Sequence, residues 1–310
     1  MKKHFLTLGA FTNGELTGFL ERALVIKAAH KAGKRMSPLK GKTLGLLFEK
    51  PSLRTRVTFE VGMRQLGGDS LYMGAHEVQL GERESVSDVA RNFSRWIDGL
   101  VVRTFYQEVI EELARYSTIP VINGLTNLLH PCQALSDMLT ILEKKGRLKG
   151  IRVAYLGDGN NVANSWLLAA GIMGMDFAIA CPKGYEPDPN VFKLARKKAA
   201  ASGARLNVVR EPEEAVRNAD ILYTDVWTSM GQEREAIRRR IVFKDYQVNP
   251  SLVRRARKDA MVMHCLPAHR GEEITDEVLD GPHSIVFDQA ENRLHAQKAL
   301  LEAFLAGPGK

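Results

Sequence analysis

Short apolar runs alternate with amphipathic stretches along the whole chain, the pattern of parallel sheets covered on both faces by helices. In the first half the runs predict strands over Thr43–Phe48, Asp69–Met73, Gly99–Arg103 and Ile119–Ile122. Helices are expected near Arg54–Leu66, Ser85–Trp96 and Glu108–Tyr116, with a leading helix over Glu15–Ala32 that stops at Gly33. In the second half Ile151–Leu156, Asp176–Ala180, Arg205–Val209, Ile221–Thr224, Met261–His264 and Ser284–Phe287 read as strands. Between them helices fall near Val162–Met173, Pro189–Ala201, Glu213–Asn218 and Ser251–Lys258. A helix from Gln133 to Lys144 bridges the halves, and a last helix, Glu291–Leu305, has no following strand to feed, so it is free to pack back on the first half. The expected fold is α/β: two domains, each a parallel β-sheet flanked by helices, linked by a bridging helix and a C-terminal helix. The first spans 1–131 with the returning segment 290–310, and the second spans 132–289.

Length supports that division, because 310 residues exceed one comfortable core. A hydrophobic fraction of 45% is that of an ordinary globular protein. No run approaches the roughly 20 apolar residues that cross a bilayer, and the start, Met1-Lys2-Lys3-His4-Phe5, lacks the apolar length and cleavage site of a signal peptide. A cytoplasmic protein with no membrane partner is expected. Cys132, Cys181 and Cys265 show no metal-ligand spacing, and their odd number leaves a thiol over, which suits a reducing compartment. The net charge of +8 fits acidic small molecules as well as nucleic acid. The basic clusters Arg238–Arg240 and Arg254–Lys258 lie on helix-like segments without interleaved aromatics, so solvated faces are expected there and no nucleic-acid partner.

In open parallel sheets ligands bind beyond the carboxyl ends of the strands, and the loops after these strands are rich in chemistry. After Thr43–Phe48 comes Lys50-Pro51-Ser52-Leu53-Arg54-Thr55-Arg56, with hydroxyls and guanidinium groups where a helix begins. First-turn N–H groups, the helix dipole, Ser52 and Thr55 hydroxyls and a bidentate arginine together suit a phosphate. Arg103 ends the next strand, and His130-Pro131-Cys132-Gln133 follows another, with Pro131 setting a helix start and His130 and Gln133 flanking its first turn.

In the second half, Gly157-Asp158-Gly159-Asn160-Asn161 is a tight turn whose amides suit a carboxylate or an amine. A dinucleotide reading is weak here, because no acidic residue ends the next strand near Ala180-Cys181-Pro182 to hold a ribose. Asp225 ends a strand, with Ser229-Met230-Gly231 on its loop, and an anion facing a substrate ammonium is its natural use. In His264-Cys265-Leu266-Pro267 the neighbouring His and Cys point to opposite faces, which disfavours a thiol nucleophile activated by its neighbour. His264 and His269 make a poor metal site without a further ligand. Arg293, near the start of the last helix, is placed to return to the phosphate-like loop.

Ser52-Leu53-Arg54-Thr55-Arg56, His130-Pro131-Cys132-Gln133, Asp225 with Ser229-Met230-Gly231, and His264-Cys265-Leu266-Pro267 together resemble the aspartate and ornithine carbamoyltransferase family along nearly the full chain. The first two motifs resemble the wider family, and the last two its ornithine branch. Leu53 stands where the family more often has threonine, and its backbone N–H still serves a phosphate.

The resemblance implies transfer of the carbamoyl group of carbamoyl phosphate to the side-chain amine of L-ornithine, giving L-citrulline and phosphate. It implies no metal and no organic cofactor, a site between two α/β domains, and a homo-oligomer built on a trimer. On that basis carbamoyl phosphate is assigned Ser52, Leu53, Arg54, Thr55, Arg103, His130, Gln133, the Cys265 and Leu266 carbonyls, Arg293, and Gln79 from an adjacent subunit. Ornithine is assigned Asn161, Asp225, Ser229 and Met230. Arg54, Arg103, His130, Asp225 and Cys265 are expected to carry the catalysis. The competing readings are a sibling enzyme using putrescine, N-acetylornithine or aspartate, a nicotinamide-dependent oxidoreductase on the Gly157 turn, and a nonenzymatic basic binding module.

Overall fold

The computed structural model describes residues 3–81 and 83–306, so the expectations at Met1, Lys2 and 307–310 lie outside the described residues. The chain divides into two compact units, residues 1–139 with 291–310 and residues 140–290, and the division falls inside the helix Pro131–Lys145. In unit 1 the strands β1 (Thr43–Phe48), β2 (Asp69–Gly74), β3 (Gly99–Arg103) and β4 (Val121–Leu125) form one sheet in the order β2-β1-β3-β4, all parallel. Every residue of β3 and β4 is buried, the mark of strands covered on both faces. Unit 2 holds β5 (Arg152–Leu156), β6 (Asp176–Ala180), β7 (Leu206–Val209), β8 (Ile221–Thr224) and β9 (Met261–His264) in the parallel order β7-β6-β5-β8-β9.

These orders matter because each sheet reverses its winding once. The reversal falls between β1 and β3 in unit 1 and between β5 and β8 in unit 2. There the loops that leave adjacent strands diverge, which opens a crevice at the carboxyl ends of those strands. The loops after β1 and β3 carry Ser52–Arg56 and Arg103, and those after β5 and β8 carry Gly157–Asn161 and Asp225–Gly231.

Local chemistry explains where the elements depart from the sequence pattern. The first helix begins at Asn13, two residues before the expected Glu15, because Thr12 and Glu15 form a reciprocal capping box. The strand expected over Ile119–Ile122 instead runs Val121–Leu125: Asn123-Gly124 has the look of a turn, yet Asn123 is fully buried and pairs with the Phe5 and Leu6 carbonyls. Ser284–Phe287 is not a strand. Ser284 makes a single bridge to Val262, and Val286 already opens the last helix, Val286–Leu305. The helix expected over Ser251–Lys258 ends at Val253, since the Arg257 N–H turns aside to the Ala219 carbonyl. Arg254–Lys258 therefore lies in turns. No helix among the described residues is long and apolar enough to cross a membrane.

Beside the unit 2 sheet, the helices Asn161–Met173 and Pro189–Ser202 pack closely. Gly171 allows this approach, since a Cβ there would stand 2.7 Å from the Ala195 carbonyl oxygen. Gly171→Ala is expected to destabilise the protein by roughly 1–3 kcal/mol through overpacking. Urea denaturation measures this, and an unchanged midpoint would show that the helices yield freely.

Candidate active site

In unit 1 the chain leaves β1 at Phe48 and starts the helix Arg54–Gln65 with Leu53 as its N-cap. Leu53 has no side chain able to cap, and it is exposed, so the first-turn N–H groups are presented as donors. Ser52 Oγ accepts the Thr55 N–H at 3.3 Å. Arg103, buried at the end of β3, accepts through its carbonyl the Glu49 N–H at 2.8 Å, which ties the β1 loop to β3. Lys50, which the motif reading passed over, tightens the same loop: its Nζ lies 2.5 Å from Asn127 Oδ1 and 4.4 Å from the centre of the Phe105 ring.

Arg293, on the last helix, donates from Nη2 to Thr55 Oγ1 at 2.8 Å and from Nη1 to Gln133 Oε1. Gln133 passes the chain on, donating to Asp137 Oδ1 at 2.7 Å. Thr55, Arg103, His130, Gln133 and Arg293 are all buried. Burial, followed by the positive charges of Arg293, Arg103 and Arg54, holds His130 well below the usual imidazole range. The imidazole is therefore neutral near pH 7 and keeps an N–H to donate. The positive charges of three guanidinium groups thus act on one neutral donor near the start of a helix, a field that suits an anion. No hydrogen bond or ion pair joins Gln79 to this cluster. It is exposed and closes the short helix Ala75–Val78 at φ 46°.

The unit 2 cluster is built on Asp225, buried at the end of β8. Its Oδ1 accepts the Cys265 thiol at 2.9 Å and the Val226 N–H at 2.8 Å, and its Oδ2 accepts Asn160 Nδ2 at 2.8 Å. Asn160 is also the N-cap of its helix, accepting the Val162 and Ala163 N–H groups on Oδ1, which fixes its amide orientation. Asn161, expected to hold ornithine, is the first helical residue and partly buried, next to the Asn160 that contacts Asp225. Ser229 and Met230 lie on the β8 loop, where the Ser229 N–H donates to Gln232 Oε1 at 3.1 Å and Met230 is exposed.

His264 borders this cluster, with a ring nitrogen, an Asp225 carboxylate oxygen and Cys265 Sγ all within 4.8 Å of one another. Its Nδ1 accepts the Leu266 N–H at 2.8 Å and its Nε2 faces buried Glu273 at 3.1 Å. Leu266 is held at φ 58°, in the left-handed region that costs a branched residue on the order of 1–2 kcal/mol.

Arg239 was expected on a solvated face, and it is buried instead. The signal was its helical spacing from Phe243, four residues on and fully buried, which puts Arg239 on the inward face while Arg240 faces out to Glu272. Its Nη1 donates to Asp158 Oδ2 and to the Trp227 carbonyl, each at 2.9 Å, so one side chain fastens the β5 loop to the β8 loop. Burial lifts Asp158 to about 6 against the pull of Arg239.

Fold and site define a class: a two-unit α/β protein with polar clusters at both switch points, one gathering guanidinium groups at a helix start, the other a buried carboxylate beside a thiol. Family comparison makes this specific. Residues 3–143 match the aspartate/ornithine carbamoyltransferase carbamoyl-P binding domain, and residues 149–304 match the Asp/Orn binding domain. An ornithine carbamoyltransferase of Syntrophus aciditrophicus is 53% identical over 305 residues, covering 98% of this chain and 100% of that protein. An anabolic ornithine carbamoyltransferase of Pyrococcus furiosus is 52% identical, covering 98% and 96%. A solved structure of the ornithine carbamoyltransferase from Pyrococcus furiosus superposes with a TM-score of 0.97 at 51% identity, covering 99% of this chain and 98% of that one. The chain belongs to the aspartate/ornithine carbamoyltransferase family.

Two predictions follow from the buried charges. Arg239→Met leaves Asp158 buried and unpaired, which should destabilise the protein by about 3–5 kcal/mol at pH 8. The loss should shrink at pH 5.5, where Asp158 takes up a proton. Equal losses at both pH values in urea denaturation would exclude the ion pair as the cause. In unit 1, His4 and His295 are lowered to about 4 by burial, and His130 is lowered too. Below about pH 6.5 the unfolded chain binds protons that these sites refuse, so their contribution is full above that pH and falls as the pH drops towards 4. Asp158 acts with the opposite sign, its contribution being lost as the pH rises through about 6. The melting temperature should fall between pH 6.5 and 4.5, and His130→Gln should flatten that fall. A slope unchanged by the variant would count against a neutral His130.

Proposed function

We propose that the protein transfers the carbamoyl group of carbamoyl phosphate to the side-chain amine of L-ornithine, releasing L-citrulline and phosphate. The observation that carries this reading is the ring of Arg54, Arg103 and Arg293 about neutral His130, with Thr55 and a helix start beside it. Carbamoyl phosphate asks for that combination: cations for its phosphate and neutral donors for its carbonyl oxygen.

Ser52 Oγ, the Leu53 N–H, Arg54, Thr55 and Arg103 take the phosphate, with Gln79 assigned to the site of a neighbouring subunit. Thr55, Arg103 and His130 stabilise the carbonyl oxygen as charge develops, and losing one such donor costs about 3–4 kcal/mol of transition-state stabilisation. Gln133, held by Arg293, and the Cys265 and Leu266 carbonyls orient the carbamoyl NH2. In unit 2, Asp225 takes the α-ammonium, while Asn161, Ser229 and the Met230 N–H take the carboxylate. The ornithine side-chain amine must shed a proton before it attacks, since its free pKa resembles that of lysine, near 10. The neutral amine then forms the N–C bond, the tetrahedral oxyanion collapses, and the C–O bond to phosphate breaks. Phosphate leaves as a base that can accept the remaining amine proton, with Asp225 and Cys265 positioning the nucleophile.

The same reading includes a homotrimer or a multiple of it, a cytoplasmic location and a role in arginine synthesis. Exposure of Gln79 supports the first, the absence of a disulfide among the three cysteines suits the second, and the anabolic relative from Pyrococcus furiosus supports the third.

Formation of a carbamoylated (ureido) product from carbamoyl phosphate should be seen with ornithine and be lacking with putrescine, N-acetylornithine or aspartate. Faster turnover of any of these would reassign the acceptor. Arg54→Ala and Arg103→Ala should each lower kcat/KM by about a hundredfold or more with an unchanged denaturation midpoint. Near-normal activity in either would refute the phosphate assignment. Cys265→Ser should raise the KM for ornithine and leave that for carbamoyl phosphate in place, and two unaltered constants would remove Cys265 from the pocket.

A further inference from the structure

A cavity of about 480 Å³ opens in unit 1, lined by His30, Lys34, Arg35, Arg64, Gln65 and Lys298 among others. It lies where the helices Asn13–Lys31 and Arg54–Gln65 end, just before β1 and β2, and so at the amino ends of these strands. The Ser52–Arg56 cradle follows the carboxyl end of β1, so the two stand at opposite ends of one parallel sheet.

The floor of the cavity is Lys298, 3% exposed, whose Nζ donates to Gln65 Oε1 at 2.9 Å. Among the described residues no carboxylate pairs with it, and burial lowers its pKa. The positive charge of Lys298 also presses on neighbouring His295, itself buried, whose ring stands 5.7 Å from that of His30. The nearby carboxylate, Glu291, is engaged by Lys27 at 3.1 Å and Lys31 at 3.7 Å. No acidic residue lines the cavity, while Lys34, Arg35, Arg64 and Lys298 bring four formal positive charges to it. Two helix C-termini offer about half a negative charge each, which offsets roughly one of these. A surplus of about three remains around a buried ammonium.

We propose that this cavity binds a small anion bearing two or more phosphoryl groups. One phosphate leaves both the charge surplus and the volume partly unused, whereas a diphosphate meets Lys298 at the floor and Arg64 and Arg35 at the rim, where guanidinium groups grip phosphoryl oxygens bidentately. The lining offers no aromatic platform on which a nucleic-acid strand would stack its bases. The site is separate from the carbamoyl phosphate cradle and does not depend on the activity proposed above.

Calorimetric titration of the full chain with pyrophosphate, and in parallel with adenosine diphosphate, tests this on the natural protein, Arg64→Gln, Lys298→Met and Arg54→Ala. Binding should persist in Arg54→Ala and weaken at least tenfold in Arg64→Gln and Lys298→Met, with kcat unchanged in Arg64→Gln. Tighter binding of adenosine diphosphate would identify a nucleotide as the source of the phosphoryl groups, and equal binding an inorganic diphosphate. Arg64 is exposed, so its variant decides the matter even if Lys298→Met fails to fold. The proposal is overturned if binding disappears with Arg54→Ala, if Arg64→Gln binds as the natural protein does, or if neither compound binds.

Discussion

Like charges gathered out of water are the central constraint on this molecule. Arg103 and Arg293 are buried and press, with Arg54, on one imidazole, so the backbone must hold them against mutual repulsion. Three different elements do this: a strand end, a helix start and a helix that returns from the far end of the chain. None of the three positions the group alone. Donors fixed in this way need little reorganisation when a charged group comes to meet them.

Unit 2 solves a different problem with the same architecture. Asp225 is held by neutral donors, Asn160 and the Cys265 thiol, with no arginine among its hydrogen-bond partners. A carboxylate left with net negative charge is suited to an ammonium. Arg239 is kept one loop away, spent on Asp158 and the Trp227 carbonyl, where it fastens the two strand-end loops without cancelling Asp225. The winding reversal in each sheet thus supplies a crevice, and the sign of the nearby buried charge decides what suits it.

Much of this was legible in the residues, and the gaps have physical causes. β1, β3, β6, β8 and β9 were predicted to the residue because their strands are apolar runs bounded by polar turns. Asn123-Gly124 misled because buried polar residues in a strand look like a turn until their hydrogen-bond partners, here in the N-terminal segment, are known. Ser284–Phe287 misled because a short apolar run does not distinguish a strand from the first turn of a helix. In the site, Ser52–Thr55, Arg103, His130 and Asp225 stood out as polar groups at strand ends. Which of the adjacent Asn160 and Asn161 caps the helix was not legible, since a single backbone turn sets it. Arg239 was hidden in a run of three arginines whose members face different ways.

The return of the chain to unit 1 bears on how the protein is made. Residues 140–290 form a continuous unit, whereas unit 1 is composed of the beginning and the end of the chain. On the ribosome, where domains fold as they emerge, the later-coded unit is complete first, and the earlier one waits for its closing helix. Arg293 follows unit 2 along the chain, so its hydrogen bond to Thr55 forms only after residues 140–290 have been made. Until then Arg54 and Arg103 are present without the guanidinium that ties Thr55 to Gln133.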